Sequence, residues 1–134
     1  KEAFEIMKTI MKFNYQNIYL IDRVQIHTNY VKLILNSIFD FFIKYDLMAR
    51  DSNTNIIDEI SKDKDQFPHA INGFIHWLEK YSVMNGAKRD SLYQNKVIYD
   101  FINDDKAIIK SILDYLSGMS DAYIIQIFNE LISF

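Results

Sequence analysis

The sequence contains no cysteine, one proline and three glycines in 134 residues. Without cysteine there is no disulfide scaffold, no thiolate zinc site and no cysteine nucleophile. So few glycines and prolines cannot supply the turns that recur every ~8–12 residues in a β-sandwich or barrel. Long apolar runs are missing too. The longest, Ile18–Ile21 and Ala122–Ile125, have four residues each, against the roughly 20 of a membrane-spanning helix. Neither sign of charge dominates: 15 basic and 18 acidic side chains leave a net charge of −3. That balance argues against broad nucleic-acid binding, which needs clustered Lys and Arg to displace counterions. What remains is a chain that is 49% apolar, long enough to bury roughly two-thirds of its unfolded surface without staples. It has no internal repeat, low-complexity tract or shift of composition, so residues 1–134 read as one all-α domain, a bundle of five to seven helices. The chain opens on Lys1 and lacks a signal-peptide core or a transit-peptide bias, and it reads as a piece of something longer.

Apolar spacing places the helices. Ala3, Met7, Ile10 and Met11 share a face over residues 2–13, opposite Glu2, Glu5 and Lys8. Asp22 is the expected N-cap of a long helix running to about Tyr45. There Val24, Val31, Ile34, Ile38, Phe41, Phe42 and Tyr45 keep the helical period. Leu33, Leu35, Phe39 and Ile43 widen the stripe, which predicts burial on several sides. Residues 46–66 are polar and turn-prone, a mobile connection with room for a short helix near 54–61. Pro68 suits the first turn of the next helix, with Ile71, Phe74, Ile75 and Leu78 inward and Met84-Asn85-Gly86 as its end. Two more helices are expected over 91–102 and 105–116, divided by Asn103-Asp104-Asp105. Gly118 then stops the chain in a left-handed cap, and Ser120 caps a last helix with Asp121 in its first turn.

Catalytic constellations are hard to find. His69 and His76 stand two helical turns apart, whereas an i, i+4 metal pair needs one turn. His27 has only Asp22 and Arg23 near it in sequence. Asp104-Asp105 and Asp63/Asp65 sit where caps and solvated turns place acids. Lys88, Arg89 and Lys96 form a short basic cluster that suits a solvated loop better than a phosphate. The stretch from Phe39 to Tyr45 has the spacing of core aromatics. No glycine-rich phosphate loop occurs.

One segment is specific. Asp114-Tyr115-Leu116-Ser117-Gly118-Met119-Ser120-Asp121-Ala122-Tyr123 resembles the D-Y-I-A/S-G-M-T-D-R-Y signature near the C-terminus of the dGTPase-like HD-domain deoxynucleoside triphosphate triphosphohydrolases. Asp114, Tyr115, Gly118, Met119, Asp121 and Tyr123 are identical, and Leu116 and Ser120 are conservative. That family also has an F-N-x-x-x-I-Y stretch before a long helix, similar to Phe13-Asn14-Tyr15-Gln16-Asn17-Ile18-Tyr19 here.

The resemblance implies a C-terminal helical accessory domain, itself without catalytic residues. It would support the nucleotide pocket and the assembly of a homo-oligomeric cytoplasmic hydrolase. Its implied partners are an upstream HD catalytic domain, where a divalent metal is held by H…HD…D ligands, and the dNTP substrate. No His-Asp dipeptide occurs in this chain, so neither cofactor nor metal ligand is expected in it. By the same resemblance Asp121 and Tyr123 are nominated as pocket-supporting, and Asp114, Tyr115, Gly118, Met119 and Ser120 as the structural motif. Ala122 stands where the family has Arg, which removes a side chain able to pair with phosphate. The competing reading is a stand-alone helical protein–protein interaction module.

Overall fold

A computed structural model describes residues 2–83, 89 and 91–133. The fold is all-α. Six α-helices carry it among the described residues: α1 (Glu2–Asn14), α2 (Asp22–Asp51), α3 (Ile56–Ser61), α4 (Pro68–Tyr81), α5 (Ala107–Ser117) and α6 (Asp121–Ile132). Two short strands, β1 (Ser82–Val83) and β2 (Tyr99–Asp100), pair in parallel. No helix among the described residues is long and apolar enough to cross a membrane. The chain divides into two units, Lys1–Leu35 and Asn36–Phe134.

In the first unit α1 buries no residue. Its apolar side chains Phe4, Ile6, Met7, Ile10, Met11 and Phe13 are all exposed, although their spacing is that of a core-facing stripe. A π-helical turn, Tyr15–Tyr19, follows directly, closed by Leu20 N–H donating to Tyr15 O at 3.1 Å. The start of α2 differs from the expectation at Asp22. Ile21 occupies the cap position, its carbonyl accepting from Val24 N and Gln25 N at 3.0 and 3.1 Å, and Asp22 lies in the first turn. There the carboxylate still favours the positive end of the helix.

The second unit holds the core. From α2 it takes Ile38, Phe41, Phe42, Tyr45 and Ala49, a stripe at i, i+3, i+4, i+7 and i+11. The broader burial expected for α2 is found only in part: Phe39 and Ile43 are half-buried, whereas Leu33 is 57% exposed and Leu35 36%. Phe42 meets Phe74 of α4 with ring centroids 4.3 Å apart, and both meet Tyr115 of α5 at 5.9 and 5.3 Å. Tilted and edge-on rings of this kind add to the burial of their own area.

The segment 46–66 is more regular than its composition suggests. α2 continues six residues past Tyr45, then ends in a Schellman motif in which Thr54 N–H reaches Ala49 O at 2.9 Å and Asn53 N–H reaches Arg50 O at 3.3 Å. Asn53, at φ 52°, takes the left-handed position that such an ending requires. Asn55 caps α3 by accepting from Ile57 N at 2.9 Å. Glu59, 2% exposed, accepts from Thr54 Oγ1 at 2.8 Å and Lys62 Nζ at 2.7 Å. Lys62 first and Thr54 second hold its pKa below the ordinary glutamate value. Tyr45 donates to Asp63 Oδ2 at 2.6 Å, tying the turn after α3 to α2.

The helix expected over 91–102 is not formed. Residues 91–98 run as turns and irregular chain, and Tyr99–Asp100 pairs with Ser82–Val83. α4 itself ends at Tyr81, before the expected Met84-Asn85-Gly86 stop, which lies outside the described residues. Two interactions draw Tyr99 and Asp100 away from a helix. Tyr99 is buried, and Asp100 Oδ1 accepts from Ile102 N and Asn103 N at 3.0 and 3.2 Å, closing a turn.

Asn53→Gly is expected to raise stability by about 0.5–1 kcal/mol, because glycine adopts the left-handed cap without a Cβ penalty. Asn53→Val should lower it by about 1 kcal/mol or more. Urea denaturation of the two variants checks this; a less stable glycine variant would contradict the cap assignment.

Candidate functional site

α5 ends and α6 begins within four residues, and this corner lies within the Asp114–Tyr123 segment. Gly118 is the C-cap residue of α5, its N–H donating to Asp114 O and Tyr115 O at 3.1 and 3.2 Å. Its φ of −87° and ψ of −5° are right-handed, which corrects the expected left-handed cap. The helix ends by tightening its last turn, with bonds from Gly118 N to Tyr115 O and from Met119 N to Leu116 O, a geometry open to any L-residue. Ser120 is the N-cap of α6, its Oγ accepting from Tyr123 N at 3.3 Å. Asp121 lies exposed in the first turn and Ala122 is exposed beside it. Met119 is half-buried.

The signature residues divide between two jobs. Asp114 accepts from Tyr99 OH at 2.7 Å through Oδ2, which fastens β2 to α5. Burial first, and then this bond to a carboxylate, push the Tyr99 hydroxyl above the usual tyrosine range. Tyr115 and Tyr123 converge instead on α4. Their hydroxyl oxygens are 3.2 Å apart, and Tyr123 OH donates to His69 O at 3.4 Å. With Tyr123 donating to the carbonyl, Tyr115 is the donor within the pair. Burial chiefly, and that donation second, raise the Tyr115 pKa.

The same seam contains a residue that the sequence did not single out. α4 starts with Phe67 at its N-cap position, which makes no side-chain cap bond, and Pro68 at N1. Glu130, near the end of α6, fills the gap. Its Oε1 accepts from His69 N at 3.0 Å and its Oε2 from Ala70 N at 2.8 Å, and Oε1 lies 3.0 Å from His69 Nδ1. Burial raises its pKa, but the two backbone N–H groups and the His69 ring outweigh that effect and leave it below the ordinary value. One signal was readable: Glu130 follows Tyr123 by seven residues, two turns along the same face of α6.

The structure therefore brings Tyr115 and Tyr123 together with His69 and Glu130, and leaves Asp121 outside that cluster. His76 is engaged elsewhere, its Nδ1 3.0 Å from Tyr93 OH, and His27 is exposed in the first unit. Arg89 donates to Lys80 O and Asn95 Oδ1 at 2.8 and 2.7 Å through Nη2, so its guanidinium braces the loop. Lys96 is exposed, and Lys88 lies outside the described residues. Among the described residues no three His, Asp or Glu side chains gather as a metal site.

A cavity of about 600 Å³ opens at the end of α2, between Asp46, Arg50, Asn53, Phe101, Asp104 and Asp105. Arg50 spans it, paired with Asp46 Oδ2 at 2.8 Å and donating to Asp105 O at 2.9 Å. No signature residue lines it. Comparison with protein-family models, curated proteins and solved structures finds no match.

Two outcomes follow from this geometry. Glu130→Ala should cost about 1–2 kcal/mol, the scale of a lost helix cap. Because the native Glu130 pKa is depressed, its contribution is present above the ordinary value of 4.5 and is lost as pH falls through the native value. The stability gap between wild type and Glu130→Ala should therefore narrow below that pH, and a gap independent of pH would contradict the cap. Gly118→Ala should leave stability within about 0.5 kcal/mol, since the new Cβ meets only Asp114 O and Tyr115 O at 3.5 and 3.7 Å; a large loss in chemical denaturation would argue against the right-handed ending.

Proposed function

We propose that the chain is a non-catalytic C-terminal helical domain of a dGTPase-like dNTP triphosphohydrolase, supporting the nucleotide pocket and the assembly of the enzyme. The observation that carries this reading is the Asp114–Tyr123 segment. Its order of residues resembles the family signature at six identical positions, with Ala122 in place of the arginine, and its two tyrosines meet in one seam against α4. The second family-like stretch, Phe13–Tyr19, falls at the junction of α1 and α2, where the π-helical turn leads to the long helix.

On this reading the division of labour is chemical. The divalent metal and the hydrolytic water belong to an upstream HD domain, since this chain has no His-Asp dipeptide. Ala122 in place of arginine removes a phosphate partner from the corner, so the corner supports the pocket wall and does not clamp the triphosphate. Tyr123, half-buried, is the member of the cluster best placed for that role. Asp121 serves the positive end of α6.

A second reading has its own observation. α1 exposes six large apolar side chains and buries none, which is the surface of a helical module that binds another protein. It differs from the first reading in requiring no catalytic neighbour in the same polypeptide.

The test is to express the longest reading frame that contains this chain and to measure triphosphate release from each dNTP with Mg²⁺ or Mn²⁺. The accessory-domain reading expects an H…HD…D domain upstream. It also expects Tyr123→Phe to lower turnover several-fold with unchanged helical content. A frame without that domain, or release of no triphosphate from any dNTP, would overturn it in favour of the interaction module.

A further inference from the structure

Gly73 lies in the interior of α4, where glycine weakens a helix relative to alanine. The structure supplies a steric reason for it. A Cβ added at Gly73 falls well inside contact distance of the hydroxyl oxygens of both Tyr115 and Tyr123. The next nearest atom, Tyr123 Cζ, is at 3.5 Å, an ordinary contact. The obstruction is therefore to the two hydroxyls and not to the rings that carry them.

The two tyrosines differ in their freedom to yield. Tyr115 is buried, its ring 5.3 Å from that of Phe74 and 5.6 Å from that of Trp77. Tyr123 is half-buried near the start of α6. A side chain at position 73 would displace the Tyr123 hydroxyl first, breaking its contacts with Tyr115 OH and His69 O.

We propose that Gly73 is a positioning residue for Tyr123: its missing side chain leaves a notch on α4 in which the Tyr123 hydroxyl is held against Tyr115 and the His69 carbonyl. The inference rests on the reading above for its purpose, the support of a pocket wall by Tyr123. It concerns a residue outside the signature, contributed by a different helix.

A four-member cycle on the full 134-residue chain tests it. Gly73→Ala should lower the Tm by several degrees in the wild-type background. In a Tyr115→Phe, Tyr123→Phe background the same change should leave the Tm unchanged or raise it, because the obstructing oxygens are gone and alanine is the better helix former. The ¹³Cζ resonance of Tyr123 should move towards that of free tyrosine in Gly73→Ala, which a general packing defect would not produce. If Gly73→Ala alone does not fold, recovery of the fold by the two phenylalanines is the expected result. An equal loss in both backgrounds, no loss in either, or a triple variant that still fails to fold would overturn the proposal. The cycle involves no nucleotide. A parent polypeptide without a catalytic domain would end the functional reading and leave this outcome standing.

Discussion

Helix α4 begins without a cap of its own, and the carboxylate that closes it comes from α6, about sixty residues later. The first four N–H groups of any helix lack intrahelical partners. Proline at N1 removes one of these donors, and Glu130 accepts from the two that follow, His69 N and Ala70 N. Ala70 and Ile71 are fully buried immediately after this start, so water is a poor substitute there. Fixing Glu130 fixes the far end of α6 against α4. The near end is fixed by Tyr123 on the His69 carbonyl.

With both ends of α6 held, the α5–α6 corner has little latitude. Its glycine ends one helix in ordinary right-handed geometry and its serine caps the next. Ile127 and Phe128 then enter the core between the two attachment points. Tyr115 joins this seam to the aromatic cluster of Phe42, Phe74 and Trp77. The Tyr99–Asp114 bond, on α5 as well, carries the β1–β2 pairing. Asp114, Tyr115 and Tyr123 are thus the place where the local needs of a corner and the long-range needs of a three-helix seam coincide.

Much of the helical pattern was readable because it is written locally. Pro68 at a first turn, Ser120 as a cap and the short helix after Asn55 are set by neighbours within a few residues. The failures share a different cause. Residues 91–102 carry helix-compatible apolar spacing, but Tyr99 and Asp100 take their conformation from Ser82 and Val83, which no periodicity reveals. Leu33 and Leu35 extend the apolar face of α2, yet its buried side chains are Ile34, Ile38, Phe41, Phe42, Tyr45 and Ala49. Gly118 suggested a left-handed cap because glycine permits one, and permission is not a requirement. In the candidate site the resemblance nominated Asp121 and Tyr123 as pocket-supporting and Tyr115 as part of the motif, and the seam takes in the two tyrosines without Asp121. Glu130 and Gly73 were missed because each acts on another helix, the one through a carboxylate and the other through an absent side chain.

Amide hydrogen exchange at His69 and Ala70 tests directly whether a carboxylate from α6 closes the start of α4. Both amides are expected to exchange slowly near neutral pH and to lose much of that protection in Glu130→Ala, with the interior of α4 remaining protected. Exchange at both positions at the rate of an open chain in the wild type would contradict it, because a helix start held by Glu130 cannot leave those two N–H groups free.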